Sequence, residues 1–120
     1  MKDKRKLGQK YENEATKILE KNGYEVLETN YYSKFGEIDI IAKKNNLLVI
    51  IEVKYRKNTF YGEGIESIDS LKLRRILETT KQYMCENNIE NMDIRFDCIC
   101  FFKNTISWFT NVVWGDEIGF

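Results

Sequence analysis

Along the first quarter of the chain, Leu7, Tyr11, Ala15, Ile18 and Leu19 recur at the spacing of one helical face. That stripe predicts a helix over residues 6–22, stopped by Asn22-Gly23. Glu12 lies at the edge of the stripe, in a row with Gly8, Ala15 and Leu19, whereas Glu14 points further away. The pattern then turns to β-branched and aromatic runs, predicting strands over residues 24–32, 37–44 and 47–56, with a connection at residues 33–35. Gly62 and Gly64 mark a loop. A second helix is expected over residues 69–86, with Leu73, Ile76, Leu77, Thr80, Tyr83 and Met84 on its core face. Residues 94–102 form a further apolar strand, and residues 105–113 are expected as another. Apolar residues on both faces of the middle strands imply a sheet covered on both sides, an α/β arrangement.

The hairpin GEIDIIAKKNNLLVIIEVKYRK breaks its own pattern, because Glu37, Asp39, Glu52 and Lys54 lie within apolar sequence. Burying charge is costly unless it is paired or bound to a metal. Strand alternation puts Glu37, Asp39 and Ile41 on one face, and Ile50, Glu52, Lys54 and Arg56 on one face of the next strand. A two-residue turn at Asn45-Asn46 would set Ile41 against Ile50, Asp39 against Glu52 and Glu37 against Lys54. Opposed side chains have Cβ atoms roughly 5 Å apart, so two acids there need a compensating cation. A hard divalent ion such as Mg²⁺ suits oxygen ligands, and Lys54 would touch a phosphate or water beside it. The plainer reading is a set of strand salt bridges, Glu52–Lys54 and Glu37–Lys54. The apolar flanks argue against full exposure and favour the metal site.

Composition narrows the chemistry. The chain has 120 residues, 42% hydrophobic and 32% charged, the size and balance of one globular domain over residues 1–120 with a loose start at residues 1–5. There is no His, which removes Ser-His-Asp and Cys-His mechanisms and leaves carboxylate, Lys, Tyr and metal-ion chemistry. Cys85, Cys98 and Cys100 lack metal-finger spacing and are expected as reduced core thiols of an intracellular, cytoplasmic protein. No apolar run has the length of a membrane span, and the basic start has no apolar segment behind it to make a secretory leader. Net charge is zero, so bulk charge gives nucleic-acid binding no support. The clusters Lys2, Lys4, Arg5, Lys6, Lys10 and Lys72, Arg74, Arg75 read first as solvated faces. Trp108, Phe109 and Trp114 suggest either core packing or a partner surface, with packing favoured.

GEIDIIA followed by IEVKYRK, with an upstream GQKYENEA, resembles the YraN-like family of uncharacterised bacterial proteins. That family lies within the restriction-endonuclease-like superfamily, whose signature is an Asp and then (Asp/Glu)-x-Lys on the next strand. Archaeal Holliday-junction resolvases are similar in size and arrangement. The resemblance runs from Leu7 to Phe102, including IDSLKLRRI and RFDCICF. It implies a central mixed β-sheet flanked by helices in the order α-β-β-β-α-β. By position, Asp39 is the motif aspartate, Glu52 and Lys54 the E-x-K pair, and Glu12 the helix-one acid. Lys72 and Arg75 align with a family Lys and Arg that suit nucleic acid. The family's second Gly in G-x-x-G-E is replaced by Tyr11, and the end, SWFTNVVWGDEIGF, lacks its usual His.

The resemblance implies a metal-dependent nuclease that hydrolyses phosphodiester bonds and is structure-specific on DNA in the manner of a resolvase. Asp39, Glu52 and the Val53 carbonyl would hold Mg²⁺, for which Mn²⁺ can substitute. Lys54 would orient water or stabilise developing charge, Glu12 would bind a second metal or position the nucleophile, and Glu37 would be an outer partner. Lys34, Arg56, Lys57, Lys72 and Arg75 would neutralise backbone phosphates. DNA is favoured over RNA as the partner, and symmetric junction cutting would require a homodimer. The rival is a non-catalytic nucleic-acid-binding or adaptor domain that keeps the fold.

Overall fold

The computed structural model describes residues 4–56 and 70–112. Lys57, the Gly62–Gly64 loop, Val113 and Trp114 fall outside them. Helix α1 (Lys4–Lys21) is followed by strands β1 (Glu25–Ser33), β2 (Gly36–Lys44) and β3 (Leu47–Arg56). Helix α2 (Ser70–Glu86) and strands β4 (Asp93–Phe102) and β5 (Thr105–Phe109) complete the order. The five strands form one mixed sheet in sequence order. β3 and β4 are parallel, while every other neighbouring pair is antiparallel. The last strand ends earlier than its apolar pattern suggests, at Phe109. Asn111 just beyond has φ +54° and donates its N–H to the Asp97 carboxylate, taking the backbone out of the ladder.

The two helices among the described residues end in the same way. Gly23 at φ +88° donates to the Glu20 carbonyl, and Tyr24 donates to the Leu19 carbonyl. Asn88 at φ +53° and Ile89 repeat the pattern onto Cys85 and Met84. These paired bonds satisfy carbonyls that the helix leaves open, and they need a left-handed residue, which Gly and Asn supply most readily.

The sheet is covered on both sides. Ala15 and Leu19 of α1 pack with Ile40, Ala42, Val49, Ile51, Ile99 and Phe101. Tyr83 of α2 packs with Ile38, Ile41, Leu48, Ile50 and Phe96 on the opposite face. β3 therefore buries Leu48, Val49, Ile50 and Ile51 in succession, as a strand between two layers must. Asn45 turns at φ +55° and Lys44 pairs with Leu47, so the two-residue turn forms and Ile41 faces Ile50 as the alternation requires. No helix among the described residues is long and apolar enough to cross a membrane.

Candidate active site

Regular alternation fails at one point in β2. Ile41 and Ile38 are three apart, yet both belong to the α2-side core, while Ile40 belongs to the α1 side. The break falls at Asp39. On one flank, β1 pairs Thr29 with Ile40 and Tyr31 with Ile38, leaving Asn30, at φ +52°, and Asp39 opposite each other outside the ladder with the register unchanged. On the other flank, the β2–β3 ladder ends at Ile40 and Ile51. Asp39 thus sits where the two strands part, and its carboxylate accepts the Val53 N–H at 2.8 Å. A left-handed non-glycine residue inside a strand is uncommon and stores strain.

This fork corrects the simple hairpin picture. Asp39 opposite Glu52 and Glu37 opposite Lys54 are not ladder pairs, because β2 has already left β3. The shift in phase also separates Glu37 from the Ile41 face. Ligand oxygens of Glu12, Glu37 and Asp39 all lie within 4.8 Å of one another. Helix α1 brings Glu12 to the fork from its position at the edge of the apolar stripe, one residue after Tyr11, which packs against the α1-side core. Asn30, which the sequence reading overlooked, works at the same place: burial and Glu37 raise the Glu12 pKa, whereas the Asn30 side chain favours its ionised form. An Asn within a strand-forming run was the available signal, since Asn tolerates φ > 0.

Burial, opposed in part by the Val53 N–H, pushes the Asp39 carboxyl up to about 7, and the charges of Glu12, Glu52 and Glu37 add to the rise. An opposite charge beside these acids would offset that rise. Glu52 is outside that three-acid group but lines one pocket with Glu37 and Asp39, on the α2 side with Leu73 and Ile76. One of its oxygens is 2.5 Å from the Lys72 ammonium and 3.9 Å from that of Lys54. Its other oxygen is buried with no hydrogen-bond partner among the described residues, as is Arg56 Nε. Lys54 is largely shielded, with 15% of its side chain exposed. Lys72, expected at a phosphate, is therefore held against Glu52, while Arg75 is exposed and lines a groove with Phe35, Gly36, Glu37, Leu71, Lys72 and Ile76. Lys34 is exposed at the hairpin tip. The Val53 carbonyl belongs to the same peptide strand that offers its N–H to Asp39.

Cys98 and Cys100 are buried free thiols 3.7 Å apart, and Cys85 is an exposed one. Cys98 and Cys100 pair along the parallel ladder with Glu52 and Lys54 respectively. Trp108 packs rather than projecting: its ring meets Tyr24 at 5.4 Å and its indole N–H donates to Asp97 at 2.9 Å.

The model of uncharacterised protein family UPF0102 matches residues 11–101. The chain belongs to this family. A UPF0102 protein of Fusobacterium nucleatum is 45% identical over 116 residues, covering 97% of this chain and 98% of that one. A UPF0102 protein of Vibrio parahaemolyticus is 35% identical over 113 residues, covering 92% and 93%. Among solved structures, this UPF0102 chain is similar to Archaeoglobus fulgidus Hjc, a Holliday junction resolvase from an archaeal hyperthermophile. The TM-score is 0.58 at 16% identity, covering 84% of this chain and 73% of that one. At that identity the likeness establishes the fold, which is restriction-endonuclease-like.

Proposed function

We propose that this UPF0102 protein is a metal-dependent nuclease that hydrolyses phosphodiester bonds in DNA. The observation that carries the reading is the meeting of Glu12, Glu37 and Asp39 at the β2–β3 fork, beside an E-x-K strand. These residues fit a hard divalent cation: they are oxygen donors, converge from two elements, and crowd negative charge around a largely buried Asp39. Glu12, Glu37 and Asp39 would hold the ion, with Glu52 and the Val53 carbonyl as further oxygen donors. Mg²⁺, or Mn²⁺ in its place, would supply Lewis-acid polarisation of a phosphoryl oxygen and a more acidic nucleophilic water.

The chain's own residues do the rest. The Val53 N–H fixes the Asp39 carboxylate in one orientation. Lys54, shielded from solvent, presents a positive charge where negative charge would develop on the phosphate. Lys34, Arg56, Lys72 and Arg75, with Lys57 beyond the described residues, would meet backbone phosphates. Symmetric cutting of a junction would need two active sites, so a homodimer belongs to the resolvase form of this reading.

The rival is a nucleic-acid-binding domain without catalysis. The zero net charge favours it, as does the 2.5 Å contact of Lys72 with Glu52, which neutralises an acid that the cation would use. To separate the two, branched, flapped, single-stranded and duplex DNA are incubated with the protein, with and without Mg²⁺ or Mn²⁺. The nuclease reading expects metal-dependent cutting that Asp39→Ala and Lys54→Ala both abolish. Binding without cutting on every substrate, unchanged by either substitution, favours the rival.

A further inference from the structure

Among the described residues, five large apolar side chains are conspicuously exposed: Tyr32, Phe35, Tyr55, Leu71 and Ile106. Single exposed apolar residues need no explanation, but clustering does. Three of these five, Tyr32, Phe35 and Leu71, lie beside Glu37 of the carboxylate fork. Tyr32, 66% exposed, pairs with Glu37 across the β1–β2 ladder, and the Glu37 charge, then the Glu37 side chain as hydrogen-bond acceptor, raise its hydroxyl pKa. Phe35 and Leu71 line the groove of about 400 Å³ that also holds Glu37, Lys72 and Arg75. Tyr55 stacks on Tyr11, the residue before Glu12, at 4.5 Å and 16° between planes.

The hairpin tip is held in place. Ser33 and Thr79 share a hydroxyl hydrogen bond of 2.7 Å that ties it to α2, and the Phe35 N–H donates to Ser33 Oγ at 2.9 Å. The Lys34 ammonium lies 5.3 Å from the Phe35 ring centre, so ring and charge are presented together. An exposed ring with a lysine over it, lining one groove of ligand size with Lys72 and Arg75, matches the chemistry of a nucleotide whose base is free to stack. A base inside a duplex already has both faces covered by its neighbours, so it gains nothing from Phe35.

We propose that the hairpin tip binds unpaired nucleotides, with bases stacked on Phe35 and Tyr32 and phosphates facing Lys34 and Arg75. The strand cut at this site is then single-stranded next to the scissile bond. The last statement rests on the nuclease reading; the binding does not.

Binding is measured by fluorescence anisotropy in EDTA, where no metal-dependent cutting occurs, with three DNA probes: a single strand, the same strand carrying abasic sites, and the blunt duplex. The probes exceed the roughly 4–16 nucleotides that such grooves span. The single strand should bind more tightly than either of the others. Phe35→Ala should weaken single-strand binding about five- to 150-fold per lost stack without changing its salt dependence. Arg75→Ala should instead lower the salt slope by roughly one. Phe35→Trp should restore binding, with indole fluorescence quenched by the DNA relative to the wild type. Thermal melts check that each variant folds. Equal affinity for intact and abasic strands, or for strand and duplex, overturns the proposal. So does unchanged binding in both Phe35→Ala and Tyr32→Ala. If these binding results hold but no DNA is cut with any metal, the nuclease reading fails while the stacking site stands.

Discussion

Asp39 combines two environments that ordinarily exclude each other. Its carboxylate accepts a backbone N–H, which favours the charge, yet burial and three neighbouring acids oppose it more strongly and push its pKa from 3.8 to about 7. Between those values the folded chain holds a proton that the unfolded chain has released. Stability without metal therefore falls as pH rises from about 4 to about 7, by about 4 kcal/mol at most. Urea melts in EDTA at several pH values should show that decline in the wild type. Asp39→Asn should be the more stable of the two at pH 8 and should lack most of the slope. An equal slope in both proteins would place the titration elsewhere. A divalent cation would displace the proton and cancel the same dependence.

At the scale of elements, the helix ends and the strand fork each depend on left-handed residues. Gly23 at φ +88° closes α1 just before β1 turns back over it, and a Cβ there meets only the flexible end of Lys44 at 3.5 Å. The cost of Gly23→Ala is thus conformational, about 1–2 kcal/mol in a urea melt. Asn88→Gly at the equivalent point of α2 should be neutral or slightly stabilising, since Gly adopts φ +53° without a Cβ penalty. Asn30→Val should cost as much as the Gly23 substitution, and should also weaken cation binding, because a β-branched residue in the left-handed region would draw β1 back toward regular pairing at Asp39. Titration calorimetry with Mn²⁺ reads the second effect, and Asn30→Gly should retain binding better than Asn30→Val.

Over the whole molecule, a second buried acid ties the last strand to the rest. Asp97, 2% exposed, accepts from Arg95 Nε and Nη2, from the Trp108 indole and from the Asn111 N–H. Arg95 in turn donates to the Tyr24 hydroxyl, joining β4 to the chain entering β1. Removing the carboxylate would leave a partly buried guanidinium and two N–H groups without their acceptor. Asp97→Ala should cost about 3–5 kcal/mol in a denaturant melt, far more than an exposed ion pair such as Lys81–Glu78. The candidate metal site makes a separate prediction for the intact fold. Mn²⁺ at a hundred times its dissociation constant should add about 2.7 kcal/mol of stability, visible as a higher melting temperature, and Asp39→Ala should abolish the rise.

Periodicity alone determined a great deal of this protein. The 3.6-residue stripes of α1 and α2, the alternating or continuous apolar runs of the strands, and the Asn45-Asn46 turn were all legible, because each is a local consequence of backbone geometry and side-chain burial. Glu37, Asp39, Glu52 and Lys54 stood out because acids and a lysine within apolar stretches need a reason, whereas the role of Glu12 came from the family resemblance. Asp97 carried the same signal within IRFDCICF and was read only as part of the run. What local pattern could not supply was the phase change at Asp39. It arises from Asn30 on one neighbouring strand and from the loss of pairing to β3 on the other, so it is a property of three strands together. That tertiary event placed Glu37 beside Glu12 and Asp39, brought Glu52 within reach of Lys72, and turned a hairpin with opposed acids into a fork with a candidate three-carboxylate group.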